Sequence, residues 1–453
     1  MEAFITPILI GTGLFLFLAF GGFAIVSLRE REPRAALLSI FFAVAGGGFF
    51  FLATKFPLPV RTIVLVALGI STTAFLVLFF LPIGKVEVGK GTPSLRFDER
   101  DIMFARKRLT PGSPEYNAYY KMRPENQKSD DLTRKKPGLM SLKSKFANPF
   151  HFASASGSFH LTGALREAVD GSVSEAQKVL PVDEMTEYIK GLALYFGALD
   201  VGITELQPYH VYSHIGRGPG KWGDPIPVEH DFAIAFTVEM AYEMVGANPT
   251  AVGVMESAKQ YVEASRVAVS LAAAIRSLGF PARAHIDGSY RVICPLVARD
   301  AGLGEIGRMS LLMTPRQGPR VRLGVVTTDL TLIPDRRTPD ATMIDFCNIC
   351  KKCAENCPSN SIPFDDRQEM DGALRWRLDA DSCFRYWNVV GTDCGICMKI
   401  CPYAHPDTFY HNVIRWGAAR SGFFRRAVLL LDDLFYGKKS TQRGTPEWTQ
   451  VGR

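Results

Sequence analysis

Three apolar runs without a charged side chain fill most of the first 83 residues: Phe4 to Leu28, Ala35 to Thr54 and Thr62 to Ile83. Each is about 20 residues or longer, enough to cross a hydrocarbon core of roughly 30 Å as a helix. Buried helices of a soluble core do not account for three consecutive uncharged spans. A cleaved signal peptide would have a basic start, a short apolar core and a cleavage site, whereas here the start is Met1-Glu2 and the run is longer. No twin-arginine export motif precedes it. Residues 1–84 therefore read as a three-helix membrane anchor.

Flanking positive charge sets the expected orientation. The first connection carries Arg29, Arg31 and Arg34, and the segment after the third span carries Lys85, Lys90, Arg96 and Arg100. The second connection has only Lys55 and Arg61. This bias puts the N-terminus outside and the large domain on the cytoplasmic side of an inner membrane, crossed three times. Much of the net charge of +7 falls between Arg96 and Lys145. Such a patch suits an anionic lipid surface or a solvated linker, and with no nucleic-acid module in the chain a nucleic-acid partner is not expected. Residues 85–150, with Pro111-Gly112, Pro114, Pro124 and Lys135-Lys136-Pro137, read as a linker or an irregular wrapping segment.

Beyond the linker the pattern becomes that of an α/β domain. Met185, Ile189, Leu192 and Phe196 recur at helical spacing and the strand-like Leu199 to Leu206 follows them. Phe232 to Phe236 suits a buried strand, Gly253 to Leu278 a long helix stopped by Gly279, and Val321 to Thr327 another strand. Strands alternating with helices indicate a sheet covered on both faces.

Eight of the nine cysteines lie near the C-terminus in two motifs: Cys347-x2-Cys350-x2-Cys353-x3-Cys357-Pro358 and Cys383-x10-Cys394-x2-Cys397-x3-Cys401-Pro402. The first is the bacterial two-cluster ferredoxin run, whose fourth cysteine ligates the other cluster. Crossing the fourth cysteines gives one [4Fe–4S] cluster on Cys347, Cys350, Cys353 and Cys401, and a second on Cys357, Cys383, Cys394 and Cys397. Disulfides do not suit a cytoplasmic domain, and zinc does not normally use a four-cysteine run followed by proline. Cys294, in the apolar Val292 to Val297 segment, reads as a buried free thiol. Two adjacent clusters on an α/β domain suggest a redox reaction at a further cofactor.

Several stretches resemble the corrinoid-dependent reductive dehalogenases, which share a cobalamin-binding core with epoxyqueuosine reductase. They are Ala198 to Leu206 with Tyr212, Ala241-Tyr242-Glu243-Met244, and the run from Cys294 through Asp300-Ala-Gly-Leu-Gly-Glu-Ile-Gly-Arg308 to Thr314-Pro315 and Gly318 to Arg322. Thr327 to Leu330, Pro334 and Asp432 to Gly437 complete the match, over about residues 150 to 440. The resemblance implies a nitroreductase-like, cobalamin-binding catalytic domain over residues 151–340 and a two-cluster ferredoxin-like domain over 341–410. It further implies a C-terminal segment, 411–453, that packs on the catalytic domain. The implied chemistry breaks the carbon–halogen bond of a small organohalide at reduced cobalamin, with a tyrosine supplying the proton. Tyr242 and Arg308 are the expected catalytic pair, although Tyr242 also suits packing and Arg308 an ion pair with Glu305. Tyr212, His285, Asp287, Ser289, Tyr290, Leu296, Gly302, Gly304, Thr314 and Gly318 are the expected cofactor contacts, with His285 read as a packed or hydrogen-bonded histidine rather than a cobalt ligand.

The chain departs from respiratory members of that family, which are commonly exported and docked to a separate membrane protein. Its own helices imply lipid contact and a low-potential donor, membrane-associated or soluble. Two other readings stay open: a corrinoid reductase of the epoxyqueuosine type, and a membrane-bound electron carrier. The carrier would leave the α/β domain without a role.

Overall fold

The computed structural model describes residues 2–451 except Lys85 and Gln442. Met1 and Lys85, both used above for orientation and start, lie outside the described residues. The chain divides into two compact units, Met1–Val86 with Asp407–Gly444, and Glu87–Pro406 with Thr445–Arg453.

In the first unit the apolar runs form helices Glu2–Arg29, Pro33–Ala53 and Leu58–Phe80. All three are long and apolar enough to cross a membrane. Large apolar side chains such as Phe15, Phe41, Ile63 and Phe80 point outward, which is the surface lipid solvates. The first two helices pack through small residues: a Cβ on Gly13 would lie 3.0 Å from the Gly47 carbonyl oxygen, and one on Gly47 would lie 3.1 Å from that of Gly13. Small residues at such a crossing let backbones approach where no hydrophobic effect drives helices together. Helices Phe409–Arg420 and Gly422–Tyr436 belong to this unit too. Phe435 rings against Phe23 and Phe42, Trp416 stacks on Phe79, and His411 meets the buried Glu30 at 3.0 Å. This corrects the expectation that residues 411–453 pack on the catalytic domain. One apolar face of each of these helices is matched to the aromatic side chains of the anchor, and only the last stretch, around Thr449, joins the second unit, where its carbonyl meets His151 Nε2 at 2.8 Å.

The second unit is built on a four-stranded, wholly antiparallel sheet. Its strands are β1 (Asp200–Glu205), β2 (Phe232–Glu239), β3 (Ala282–His285) and β6 (Val321–Thr328), in the order β1-β2-β6-β3. A small ladder of β4 (Glu305–Ile306) and β5 (Leu312–Met313) stands apart. Successive strand residues face opposite sides, and both sides are covered. Ile234, Phe236 and Val238 join Val267, Leu271 and Ile275 of the long helix Ala251–Ser277. Ala233, Ala235 and Val325 instead meet Val297 and Ala298 of helix Cys294–Asp300. Gly324 sits beneath Phe236, whose ring would overlap any Cβ there.

Residues 87–150, read from the sequence as part of a linker or a wrapping segment, hold regular structure. They carry helices Met103–Arg108, Pro114–Met122 and Pro124–Arg134 and are tied to the core along their length. Arg96 donates to the carbonyls of Val211, Tyr212 and Ile226, buried Glu99 accepts from the backbone of Gly216 and Arg217, and Met140 N–H reaches the Gly391 carbonyl. Turn-forming prolines at positions 114 and 124 here begin helices, where proline's missing N–H costs nothing.

Asp300 ends its helix as a charged hub. Its carboxylate accepts from Tyr209 Oη at 2.8 Å, His210 Nε2 at 2.9 Å and Arg299 Nε at 2.8 Å. Burial pushes its carboxyl up, but His210, Arg299 and Tyr209 outweigh that and hold it well below the ordinary carboxylate range. The stabilisation from a depressed carboxylate is present above its unfolded value, roughly pH 4, and is lost as pH falls through the folded one. Asp300→Asn is therefore expected to destabilise the fold by about 3 kcal/mol at neutral pH, with the gap from the parent narrowing on strong acidification. Denaturant unfolding across pH measures both.

Candidate active site

The cysteines come from short helices broken at fixed points. Helix Ala341–Cys350 ends at Lys351, whose φ of 54° turns the chain so that Cys353 follows on helix Lys352–Glu355. Asp379 caps helix Ala380–Val390, which carries Cys383. Gly395, at φ 62° and close against Asn248, turns Cys394 toward Cys397. The electrostatic neighbours of the Cys401 thiol are Cys350, Cys347 and Cys353. Those of Cys397 are Cys394, Cys353, Cys383 and Cys357. The neighbours of Cys401 all belong to the first crossed set expected from the spacing, while those of Cys397 include Cys353 of that set beside three of its own. Burial raises the thiols of Cys347, Cys383, Cys397 and Cys401, and those of Cys353 and Cys394 to about 12, whereas hydrogen bonds from Ser359, Ser361 and Ile362 outweigh burial at Cys357 and lower it. Buried, closely grouped, soft donors of this kind fit iron–sulfur cubanes.

One cavity of about 550 Å³ opens beside the second set. Cys357, Cys383, Cys394 and Cys397 form part of its wall, while none of the first set does. Ile293, Pro295, Leu311, Leu312, Val321 and Trp387 contribute an apolar lining. A broad apolar wall next to a cluster fits the face of a large macrocycle such as a corrin.

Tyr261 and Arg322 lie together among the ionisable groups that line that cavity. Tyr261 projects from the long helix and Arg322 from β6, with the guanidinium 4.8 Å from the centre of the phenol ring. Arg322 is fixed by Asp393 Oδ2 at 3.0 Å and Ser257 Oγ at 2.6 Å. Arg322 pulls the Tyr261 phenol down, but burial and the charges of Asp287 and Asp393 together leave it above its ordinary value. Burial opposes the charge on Arg322, yet Tyr261, Asp393 and Asp287 hold its pKa above the usual one, so it stays cationic.

Of the residues expected from the sequence, Tyr212, His285, Asp287 and Tyr290 line this cavity. The Nδ1 atom of His285 accepts the Arg291 N–H at 3.1 Å, so Nε2 carries the proton and donates to Thr327 Oγ1 at 2.9 Å. With both nitrogens engaged and burial holding it neutral, this imidazole is not offered to a metal. Ser289, Gly302, Gly304, Thr314 and Gly318 do not line the cavity, and Leu296 borders a separate one. Thr314 and Gly318 bond to each other across their own turn, and Gly304 lies against the Met313 carbonyl.

Tyr242 and Arg308 are not brought together, and neither lines the cavity. The Tyr242 hydroxyl lies 3.4 Å from His405 Nδ1, and Arg320 lies 5.7 Å from its ring. Arg308 is fully buried and donates to the carbonyls of Cys347, Pro363 and Asp365, so it pairs neither with Tyr242 nor with Glu305. Tyr261 is not among the site residues expected from the sequence; it lies within the Gly253 to Leu278 helix read there. It was the one hydroxyl-bearing aromatic in that helix, and Arg322 closed the resembling run from Gly318.

Residues 346–405 match the 4Fe-4S dicluster domain. The tetrachloroethene reductive dehalogenase of Sulfurospirillum multivorans is 30% identical over 291 residues, covering 56% of this chain and 58% of that protein. The one from Desulfitobacterium hafniense is 32% identical over 40% of this chain and 34% of its own. Among solved structures, the catabolic reductive dehalogenase NpRdhA superposes with a TM-score of 0.64 at 26% identity, covering 79% of this chain and 50% of that one. The same protein has been solved in complex with 3-bromo-4-hydroxybenzoic acid. The epoxyqueuosine reductase of Listeria monocytogenes is 29% identical over 26% of this chain and 31% of its own. The chain spans about half the length of the relatives it matches most extensively. The likeness to reductive dehalogenases read from the sequence is thereby borne out, and the chain carries a dicluster iron–sulfur domain.

Cys294 also faces the cavity, but burial raises its thiol to about 12 and its sulfur lies outside both sets. Cys294→Ala is expected to leave the iron content unchanged at about eight per chain. Iron and acid-labile sulfide assays of the purified protein check this.

Proposed function

We propose that this protein is a membrane-anchored oxidoreductase that reductively removes halide from a small organohalide. The observation that carries the reading is one apolar cavity holding both the cysteines of a cluster set and a half-buried tyrosine paired with an arginine. A corrinoid bound there would supply a reduced cobalt centre to the carbon–halogen bond, and the clusters would supply electrons one at a time. Tyr212, Asp287 and Tyr290, with the apolar wall, are the residues that would hold it, while His285 braces the wall through Thr327.

Tyr261 is the proton donor in this reading, in place of Tyr242. Its phenol is raised, so it holds its proton at neutral pH and can give it up as carbon gains an electron pair and the halide leaves. Arg322 is close enough to steady the phenolate that results and to attract the departing anion. Asp393 and Ser257 keep the guanidinium over the ring, and the apolar lining keeps water from competing as the proton source. The set of Cys347, Cys350, Cys353 and Cys401, away from the cavity, is the electron inlet, and the set that forms part of the wall is the outlet. The charge bias around the spans supports a cytoplasmic catalytic unit and a low-potential donor at or near the membrane.

Metal analysis of protein produced with corrinoid available should find about eight irons and one cobalt per chain, with halide release under a low-potential reductant. Iron without cobalt and without dehalogenation would leave only the electron carrier. In the loaded enzyme, Tyr261→Phe should lower turnover about 100-fold or more with both metals retained, and Tyr242→Phe should stay near the parent. Because the acid must be protonated to act, turnover should fall only as pH rises beyond roughly 10, the ordinary tyrosine value. Full activity in Tyr261→Phe would remove it from the mechanism.

A further inference from the structure

Arg308 is left without a part in the cavity, yet its surroundings are unusual for a guanidinium. It is completely buried. Nε donates to the Cys347 carbonyl at 2.9 Å, and Nη1 donates to the carbonyls of Pro363 at 2.8 Å and Asp365 at 2.7 Å. Its flat face lies 5.2 Å from the centre of the Trp376 ring. No carboxylate forms an ion pair with it among the described residues. Its electrostatic neighbours are the thiols of Cys353, Cys347 and Cys350, with Asp366 between them in weight. A buried cation is expensive unless compensated, and backbone carbonyls with a ring face compensate only in part. Asp366 and the negative charge that a cluster on these thiols would bring supply the rest.

We propose that Arg308 is a positioning residue that sets the reduction potential of the cluster on Cys347, Cys350, Cys353 and Cys401. A cubane with four thiolate ligands is negative in both of its working states and gains one more negative charge on taking an electron. A fixed positive charge in a low-dielectric surrounding therefore favours the reduced form and raises the potential. Among the described residues no guanidinium donates to the backbone carbonyl of a cysteine in the second set: Arg385, two residues after Cys383, donates to Thr133 Oγ1 at 3.3 Å and Ser129 Oγ at 2.6 Å, and Lys399, two after Cys397, donates to the Asn248 carbonyl at 2.5 Å. Arg308 thus makes the two sites unequal and favours arrival of the electron at the set remote from the cavity. The inference rests on the cluster assignment alone and is independent of cobalt, substrate and Tyr261.

The test is a redox titration, followed by electron paramagnetic resonance, of the full-length protein with its clusters, comparing the parent with Arg308→Lys and Arg308→Met. In Arg308→Met one midpoint potential should fall, by at least tenfold in the reduction equilibrium or ~59 mV for one electron, while the other stays. Arg308→Lys should recover most of that fall. Parent-like potentials in Arg308→Met with full iron content would overturn the proposal. So would equal shifts of both clusters, or equal shifts in Lys and Met variants. Loss of one cluster from both variants would make Arg308 a clamp on its binding segment and would overturn the proposal as well.

Discussion

The partly buried contact of Arg322 with Asp393 joins the three pieces on which the candidate site depends. Arg322 stands at the start of a central strand, and Asp393 immediately precedes a cluster cysteine. Ser257, bonded to Arg322 and Asp393, belongs to the helix that carries Tyr261. Three segments far apart in sequence are thus held at one point. A partly buried ion pair with hydrogen-bonded supports is specific in geometry even when its net contribution to stability is small. Here it sets where the phenol lies relative to the cluster wall.

Burial works differently on the ionisable groups around this point. In Asp300 it is overcome by partners, giving a carboxylate that anchors a helix end. In His285 nothing offsets it, giving a neutral ring whose two nitrogens are spent on Thr327 and Arg291. In Tyr261 the arginine pulls one way while burial and two acids prevail the other way, which keeps a proton on a phenol facing the cavity. Arg308, surrounded by carbonyls, is the complement: a cation that needs a negative neighbour. The same low-dielectric interior yields a depressed carboxylate, a neutral imidazole, a protonated phenol and a carbonyl-bound guanidinium, according to which partners the fold supplies.

Much of the architecture was legible in the chain. The spans appeared within a few residues of their observed ends because a bilayer demands long uncharged helices, and the strands and the long helix appeared because their apolar periods are local. The sequence left residues 85–150 open between a linker and a wrapping segment, because the contacts to Val211, Ile226 and Gly391 that hold the helices there are not revealed by any local pattern. The C-terminal helices were assigned to the wrong unit for a related reason. An amphipathic face announces that it will be covered, but not by what.

The sequence by itself determined the dicluster cysteine motifs and the three spans, since thiolate spacing and hydrocarbon thickness are constraints that act along the chain. It could not choose the tyrosine. Tyr242 and Tyr261 both occur beside apolar residues, and Arg308 and Arg322 both close glycine-containing runs. Only the antiparallel order of the sheet, with the long helix laid across it, brings Tyr261 under Arg322 and leaves Arg308 against the cluster segment. Side-chain pairing across such distances is decided by packing and topology, and those exist only in the folded molecule.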